Sequence, residues 1–308
     1  MTNILITGGT GSFGQAFTEY ELKNNKFGGK IIIFSRDELK QEQMERKYKL
    51  LDSDERMRYL IGCVRDKDRL QLAISDAHYI IHAAALKRVP NAEYNPTEYI
   101  KTNILGSQNL IDCCLSAWNK GSYIKVIALS TDKAVSPINL YGATKLVMEK
   151  MILTANNIHG ESGPKFSVVR YGNVADSNGS VIQVFKEQIS KGLPITITDP
   201  KMTRFWITLE SAVKFVIESV RKMNGGEVFI PTMPSFNVID LARAFTHYKQ
   251  ILLPYEEDKN IKIIGIRPGE KLHEQINEDT FSNENDKWYT VADLRDYVYG
   301  NNDVRGST

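Results

Sequence analysis

Cysteine is scarce in this chain, with three residues in 308, at Cys63, Cys113 and Cys114. Two are adjacent, and adjacent cysteines rarely bridge each other. No Cys-x-x-Cys pair occurs, so neither a disulfide framework nor a cysteine-held metal is expected. Long apolar runs are missing as well; no stretch approaches the ~20 residues that span a bilayer. Met1 leads almost at once into Ile4-Leu5-Ile6-Thr7, without the charged segment, apolar core and cleavage site of a secretory signal. Charge of one sign is not in excess. A net charge of +2 gives no reason to expect nucleic acid or an anionic membrane surface as partner. Repeats and low-complexity segments are absent. Together these absences predict a soluble protein of a reducing, cytoplasmic compartment.

What is present is an ordinary globular balance, 42% hydrophobic and 25% charged residues. A chain of this length buries a sizeable core without staples, as one large domain or two closely packed ones. Short β-rich runs alternate with helical spacing through the first half. Strands are expected at Asn3–Thr7, Lys30–Phe34, Met57–Ile61, Tyr79–His82, Lys125–Leu129 and Phe166–Tyr171. Helices are expected at Phe13–Leu22, Asp37–Tyr48 and Asp66–Ile74, and one starts near Tyr141. Such alternation predicts an α/β fold with a Rossmann-like, doubly wound parallel sheet. Ile31–Phe34 is apolar on both faces, as a strand covered on both sides should be. The rhythm changes after Gly172. Helices at Val181–Lys191, Leu209–Lys222 and Asn237–Thr246 and a strand at Ile261–Ile266 are joined by longer connections. The expected division is a dinucleotide-binding domain over 1–172 and a smaller, interleaved substrate-binding lobe over 173–308, with the ligand at their junction.

Thr7-Gly8-Gly9-Thr10-Gly11-Ser12-Phe13-Gly14 follows the first strand and opens the first helix. Glycines there allow a tight turn and let the backbone approach a pyrophosphate, which the helix N-terminus attracts. The second strand runs into Ser35-Arg36-Asp37-Glu38-Leu39-Lys40. Arg36 suits a 2′-phosphate, Ser35 can donate to it and Lys40 adds charge, so NADP is preferred to NAD; Asp37 and Glu38 argue the other way. The small residues of His82-Ala83-Ala84-Ala85 leave room for the cofactor, and His82 itself reads as a packed strand-end residue.

Ser130-Thr131-Asp132-Lys133 should sit at the C-terminal end of the fifth strand, where doubly wound sheets bind ligands. Tyr141 and Lys145 lie four apart, on one helical face. A nearby ammonium favours the phenolate and lowers the Tyr pKa. Tyr141 can then accept a proton from a sugar hydroxyl, oriented by Thr131 or Ser130, while Lys145 holds the nicotinamide ribose.

On these motifs the chain resembles an extended short-chain dehydrogenase/reductase. It is most similar to the soluble UDP-N-acetylglucosamine 4,6-dehydratases that invert carbon 5. The likeness includes Arg170-Tyr171-Gly172-Asn173-Val174, Met202-Thr203-Arg204-Phe205-Trp206 and Arg267-Pro268-Gly269-Glu270-Lys271-Leu272-His273, and extends to about residue 275. It implies that Tyr141 assists oxidation at carbon 4 and that tightly bound NADP is regenerated in each cycle. Lys133 is then the base at carbon 5 and Asp132 the acid at the carbon 6 hydroxyl. The implied product is UDP-2-acetamido-2,6-dideoxy-β-L-arabino-hexos-4-ulose. A lysine base must be neutral, which desolvation or a neighbouring cation promotes.

The resemblance also assigns Cys63 and Val64 to the adenine, Ser130 and Val174 to the cofactor, and Lys87, Asn173 and Asn178 to the substrate. Arg204 and Arg267 are assigned to the diphosphate and Glu270 to the uridine ribose. Cys63 and Asn178 depart from the Asp and Arg usual in relatives. A homo-oligomer of unspecified order is expected. The competing readings are a UDP-sugar 4-epimerase, a retaining dehydratase and a catalytically silent NADP-binding scaffold. An epimerase needs no carbon 5 base, and a scaffold has no need of Asp132, Lys133, Tyr141 and Lys145 together.

Overall fold

A computed structural model of the chain describes residues 2–118, 123–159, 162–177, 179–246 and 260–300. They form two compact units, Met1–Arg170 with Ala212–Pro231, and Tyr171–Ser211 with Thr232–Thr308.

In chain order the first unit holds β1 (Thr2–Thr7), α1 (Ser12–Asn24), β2 (Gly28–Ser35), α2 (Glu38–Tyr48), β3 (Met57–Ile61), α3 (Lys67–Ile74) and β4 (Tyr79–His82). Two short helices follow, α4 (Val89–Tyr94) and α5 (Pro96–Tyr99), then a π-helical turn at Ile100–Leu105 running into α6 (Gly106–Trp118). Next come β5 (Lys125–Thr131), a 3₁₀ turn at Asp132–Ala134, α7 (Leu140–Thr154), α8 (Asn156–His159) and β6 (Lys165–Tyr171). The chain then builds β7 (Asn173–Val174), α9 (Val181–Ser190), β8 (Ile195–Ile197) and β9 (Thr203–Ile207) of the second unit. It returns to the first through α10 (Leu209–Lys222) and β10 (Val228–Phe229), and ends in the second with β11 (Ser235–Asn237), α11 (Val238–Thr246), β12 (Ile261–Ile263) and α12 (Val291–Tyr299).

The main sheet has the order β10-β6-β5-β4-β1-β2-β3. The pairs β1–β2, β2–β3, β1–β4, β4–β5 and β6–β10 are all parallel. From β1 the order runs outward one way through β2 and β3 and the other way through β4, so the C-terminal ends of β1 and β4 flank the switch point where such sheets bind ligands. The all-apolar run in β2 is buried throughout, from Ile31 to Phe34, because helices cover both faces. Asp37 and Asp66 lie outside their helices as caps, accepting from the backbone of Lys40 and Arg69. This is the ordinary preference of aspartate at a helix start. Cys113 and Cys114 are buried free thiols on α6 that pack as small apolar groups.

Element ends shift by one or two residues from the sequence reading in several places, and three differences bear on the layout. β5 runs on to Thr131, so Ser130 and Thr131 are strand residues. The last strand stops at Ile263, short of Gly265, which takes φ +84° and breaks the extended run. Ala212–Pro231 belongs with the first unit, since β10 adds to the sheet beside β6 in parallel register.

The second unit has two small sheets, β11-β9-β7 and β12-β8. Its core gathers on Trp206, which meets Phe236, Tyr289 and Tyr297 edge to face. Among the described residues no helix is long and apolar enough to cross a membrane.

Candidate active site

The loop from β1 to α1 is shaped for close backbone approach. Gly8 takes φ +67°, and a Cβ there would stand 2.8 Å from the Ala84 Cα. A Cβ on Gly14 would meet the Gly9 carbonyl at 2.2 Å. The turn is closed by the Gly11 amide on the Gly8 carbonyl at 2.9 Å. Gly11 caps α1 without a side chain, which leaves Thr10, Ser12 and Phe13 around a helix N-terminus suited to phosphate. Ala84 and Ala85, at the end of β4, line the same cradle. Any side chain at Gly8 would close the gap to Ala84, so the loop keeps the close backbone approach that a dinucleotide loop needs.

At the end of β2, Ser35 is buried and accepts from Gln41 Nε2 at 2.9 Å. Gln41 also donates to the carbonyls of Ser35 and Leu60, so a residue that the sequence reading passed over fixes the Ser35 hydroxyl. Arg36 is exposed and its guanidinium has no hydrogen-bond or ion-pair partner among the described residues. Lys40 instead pairs with Asp37 at 3.2 Å, which offsets much of the charge it was expected to offer a 2′-phosphate. Glu38 and Leu39 are exposed on the first turn of α2. Val64 is buried against Gly106, and Cys63 is half-buried beside it.

His82 is buried within one directional chain. The Ser107 hydroxyl donates to the Asn103 carbonyl at 2.7 Å, so it accepts from His82 Nε2 at 3.0 Å. Nδ1 then accepts from Thr7 Oγ1 at 2.8 Å, and that hydroxyl accepts from the Ala84 amide. Burial, with the Lys145 charge nearby, lowers the His82 pKa to about 3. It is a neutral structural residue, as its strand-end position predicts.

Thr131, Asp132, Lys133 and Tyr141 come together at the end of β5. Thr131 Oγ1 donates to Asp132 Oδ1 at 2.9 Å. Lys133 Nζ donates to the same oxygen at 3.0 Å; Asp132 is fully buried and Lys133 partly so. Tyr141 packs its ring on Ala92 and Tyr99. Burial raises its pKa to about 12, against the pull of the Lys133 charge and a hydrogen bond with Thr131. The helical spacing pointed to Lys145 as the cation acting on Tyr141. The structure corrects this to Lys133, because Lys145 Nζ is turned to the Leu129 carbonyl at 2.7 Å. Lys145 is buried, and desolvation lowers its pKa to about 8, with Glu149 working against the shift. Ser130 Oγ is buried without a hydrogen-bond partner, a polar atom left for a ligand.

α7 is placed by three contacts. Asn139 caps it by accepting from the Gly142 amide at 2.8 Å. Glu93 accepts from the Leu140 amide at 3.1 Å. Asn103, buried in the π-helical turn, donates to Thr144 Oγ1 at 3.0 Å and holds both backbone groups of Leu86. Sequence reasoning missed Asn103; flanked by Lys101 and Thr102 and followed closely by Ser107, Gln108 and Asn109, it carried no signal that set it apart. Lys87 follows Leu86 and keeps an exposed side chain. Its ammonium lies among enough protein that desolvation lowers its pKa first, followed by the charges of Arg88 and Lys133.

The second unit holds the remaining expected residues. Asn173 Oδ1 is buried without a hydrogen-bond partner, and Val174 pairs with Ile207 in β7–β9. Arg204 differs from its expected role as a diphosphate ligand. It is 7% exposed and donates to the carbonyls of Thr203, Leu272 and Lys271 at 2.7, 3.1 and 2.9 Å. Glu274 lies 3.8 Å from its Nε. It is a clamp on the 271–274 segment. Arg267 is exposed, with no side-chain partner among the described residues, in a turn where its amide donates to Glu270 Oε2 at 3.2 Å. Asn178 lies outside the described residues. Among the described residues no His, Cys, Asp and Glu cluster could hold a metal ion.

The likeness of this chain to known proteins runs over most of its length. The family described as "Polysaccharide biosynthesis protein" matches residues 4–293. A Campylobacter jejuni protein named "UDP-N-acetylglucosamine 4,6-dehydratase (inverting)" is 52% identical over 307 residues, 98% of this chain and 86% of that protein. A "UDP-glucose 4-epimerase" of Rickettsia rickettsii is 39% identical over 296 residues, 96% of this chain and 81% of that protein. Among solved structures, Pen from Bacillus thuringiensis is 38% identical with TM-score 0.79, covering 89% of this chain and 80% of that one. The Streptomyces venezuelae dTDP-glucose 4,6-dehydratase DesIV, solved with NAD bound, has TM-score 0.75 at 18% identity, over 90% and 88% of the two chains. That likeness bears on the fold, a Rossmann-type sheet.

Proposed function

This chain belongs to the polysaccharide biosynthesis protein family, and on that premise we propose that it is a UDP-N-acetylglucosamine 4,6-dehydratase that inverts carbon 5 and works with NADP. The observation that carries the reading is the side-by-side placement of Asp132 and Lys133, 3.0 Å apart, with Lys133 acting on Tyr141. The bound nicotinamide would take hydride from sugar carbon 4 and give it to carbon 6. The cradle from Gly8 to Gly14, with Ser35, Arg36, Ala84 and Lys145, would hold that cofactor. The free guanidinium of Arg36 favours NADP over NAD.

Tyr141, as the phenolate that the Lys133 charge and the Thr131 hydrogen bond favour, would accept the carbon 4 hydroxyl proton, positioned by Thr131. The ketone that results makes the carbon 5 proton acidic. Lys133 removes that proton, and Asp132 protonates the carbon 6 hydroxyl, which leaves as water. These roles need a neutral amine and a protonated carboxyl. That state holds the same number of protons as the ion pair seen across 3.0 Å. One proton moving from Lys133 to Asp132 interconverts them, so no exchange with solvent is required first. Inversion requires the final proton to reach carbon 5 from the face opposite Lys133, so it comes from a different donor and carries the solvent isotope.

The test is the NMR spectrum of the product formed from UDP-N-acetylglucosamine in deuterated water. A 4-keto-6-deoxy sugar of L-arabino configuration, with deuterium at carbon 5, supports the reading. UDP-N-acetylgalactosamine without deuterium at carbon 5 would assign the 4-epimerase reading that the Rickettsia relatives suggest. Lys133→Ala should remove carbon 5 exchange; retained dehydration would exclude Lys133 as the base.

A further inference from the structure

Lys145 and Glu149 stand four apart on α7, a spacing at which lysine and glutamate commonly pair. Here they make no direct ion pair. Arg170, at the end of β6, takes both carboxylate oxygens instead, Nε to Oε1 at 3.0 Å and Nη2 to Oε2 at 2.6 Å. Glu149 is 2% exposed and Arg170 14%. The Lys145 ammonium is thereby left to donate to the Leu129 carbonyl at 2.7 Å. A bidentate arginine is well suited to this, since its fork occupies a carboxylate in a way that a lysine cannot.

We propose that Arg170 is a positioning residue for Lys145: by holding both oxygens of Glu149, it keeps that carboxylate from drawing the ammonium away from β5 and the cofactor. The inference rests on the reading of Lys145 as a ligand of the nicotinamide ribose. The charged and titratable groups around Lys145 are Glu149 on its own helix, His82 on β4, which is neutral, and Arg170 on β6 behind Glu149. With Arg170 in place, Glu149 raises the Lys145 pKa only enough to leave it at about 8. An uncovered Glu149 would raise it further.

The test is NADPH binding to the whole protein, followed by fluorescence across pH 6 to 10. Arg170→Gln should weaken binding roughly tenfold to a hundredfold, the worth of a hydrogen bond to a charged group. It should also move the alkaline loss of binding to higher pH. Glu149→Gln should move that loss to lower pH. The double variant, with no carboxylate to capture Lys145, should bind NADPH better than Arg170→Gln alone. A purely structural pair also recovers in the double variant, because no buried charge is left unpaired, but it predicts no opposite pH shifts of binding; absence of the recovery or of those shifts would overturn the proposal. If Arg170→Gln does not fold, Arg170→Lys carries the test with the same signs and smaller size. Lys145→Met separates the two levels. Unchanged NADPH binding in that variant would remove Lys145 from the cofactor site, whereas weakened binding there with a silent Arg170→Gln would refute the positioning role alone.

Discussion

A Cβ placed on Gly142 would lie 2.1 Å from the carbonyl oxygen of Lys133. The first turn of α7 therefore presses directly on the 3₁₀ turn that carries Asp132 and Lys133. This contact makes one site of two motifs that are separated in sequence. Gly142→Ala must push the two apart, since the clash is with backbone and no flexible side chain can yield. Overpacking of this kind costs about 1–3 kcal/mol. Turnover per folded molecule should fall by more than roughly tenfold, because misplacement of about 1 Å in a catalytic group has effects of that order. Thermal melting with activity measured on the folded fraction checks it. Normal turnover in a merely less stable variant would mean the contact is only packing.

The His82 chain predicts a pH dependence of stability. Its pKa is about 3 when folded, against an ordinary 6.5. Between those values the unfolded chain binds the proton and the folded one does not. Stability from this group is therefore fully present above pH 6.5 and is lost as pH falls. At pH 5 the loss is about 2 kcal/mol, at ~1.4 kcal/mol per unit. Urea midpoints at pH 7 and pH 5 should differ less in His82→Gln than in the parent. Equal differences would place the acid sensitivity elsewhere.

What could be seen in the sequence was local. The strand, glycine loop and helix at Thr7–Gly14 announce themselves by order and spacing, and Tyr141 and Lys145 share a helical face because 3.6 residues make a turn. What could not be seen depended on which strands and turns become neighbours. Lys133, not Lys145, acts on Tyr141 because a 3₁₀ turn folds back against α7. Arg204 reads as a phosphate ligand, as an arginine in a family motif does, but the carbonyls of Lys271 and Leu272 hold it. Asn103 gains its partners only because a π-helical turn aims it at Leu86 and Thr144.

Arg204 and Arg267 should therefore separate in kinetics. Arg204→Met removes donors from one buried and two partly buried carbonyls and a charge from beside Glu274. Breaking buried pairs of this kind costs about 3–5 kcal/mol. The expected result is a large loss of melting temperature. Arg267→Ala leaves no buried group unsatisfied and should keep its stability. If its free guanidinium meets the diphosphate, KM for the UDP-sugar rises with a smaller change in kcat. Measuring both variants by calorimetry and steady-state kinetics decides the matter; a stable Arg204→Met with raised KM would restore Arg204 as the ligand.

The same reasoning divides the two cations at the end of β2. Arg36 is exposed and has no partner among the described residues, whereas Lys40 is engaged by Asp37 through both a backbone cap and an ion pair at 3.2 Å. A phosphate arriving there gains a fresh partner in Arg36, but Lys40 must first give up part of an existing one. Arg36→Ala should weaken NADPH roughly tenfold to a hundredfold, as expected for a charge-assisted contact, and leave NADH nearly unchanged. Lys40→Ala should change either by less than about threefold, because exposed pairs are worth little. Titration of the four combinations by fluorescence gives the comparison. Equal losses for NADPH and NADH in Arg36→Ala would mean that Arg36 stacks on the adenine and does not read the 2′-phosphate, and the preference for NADP would then have to rest on Ser35 and Gln41.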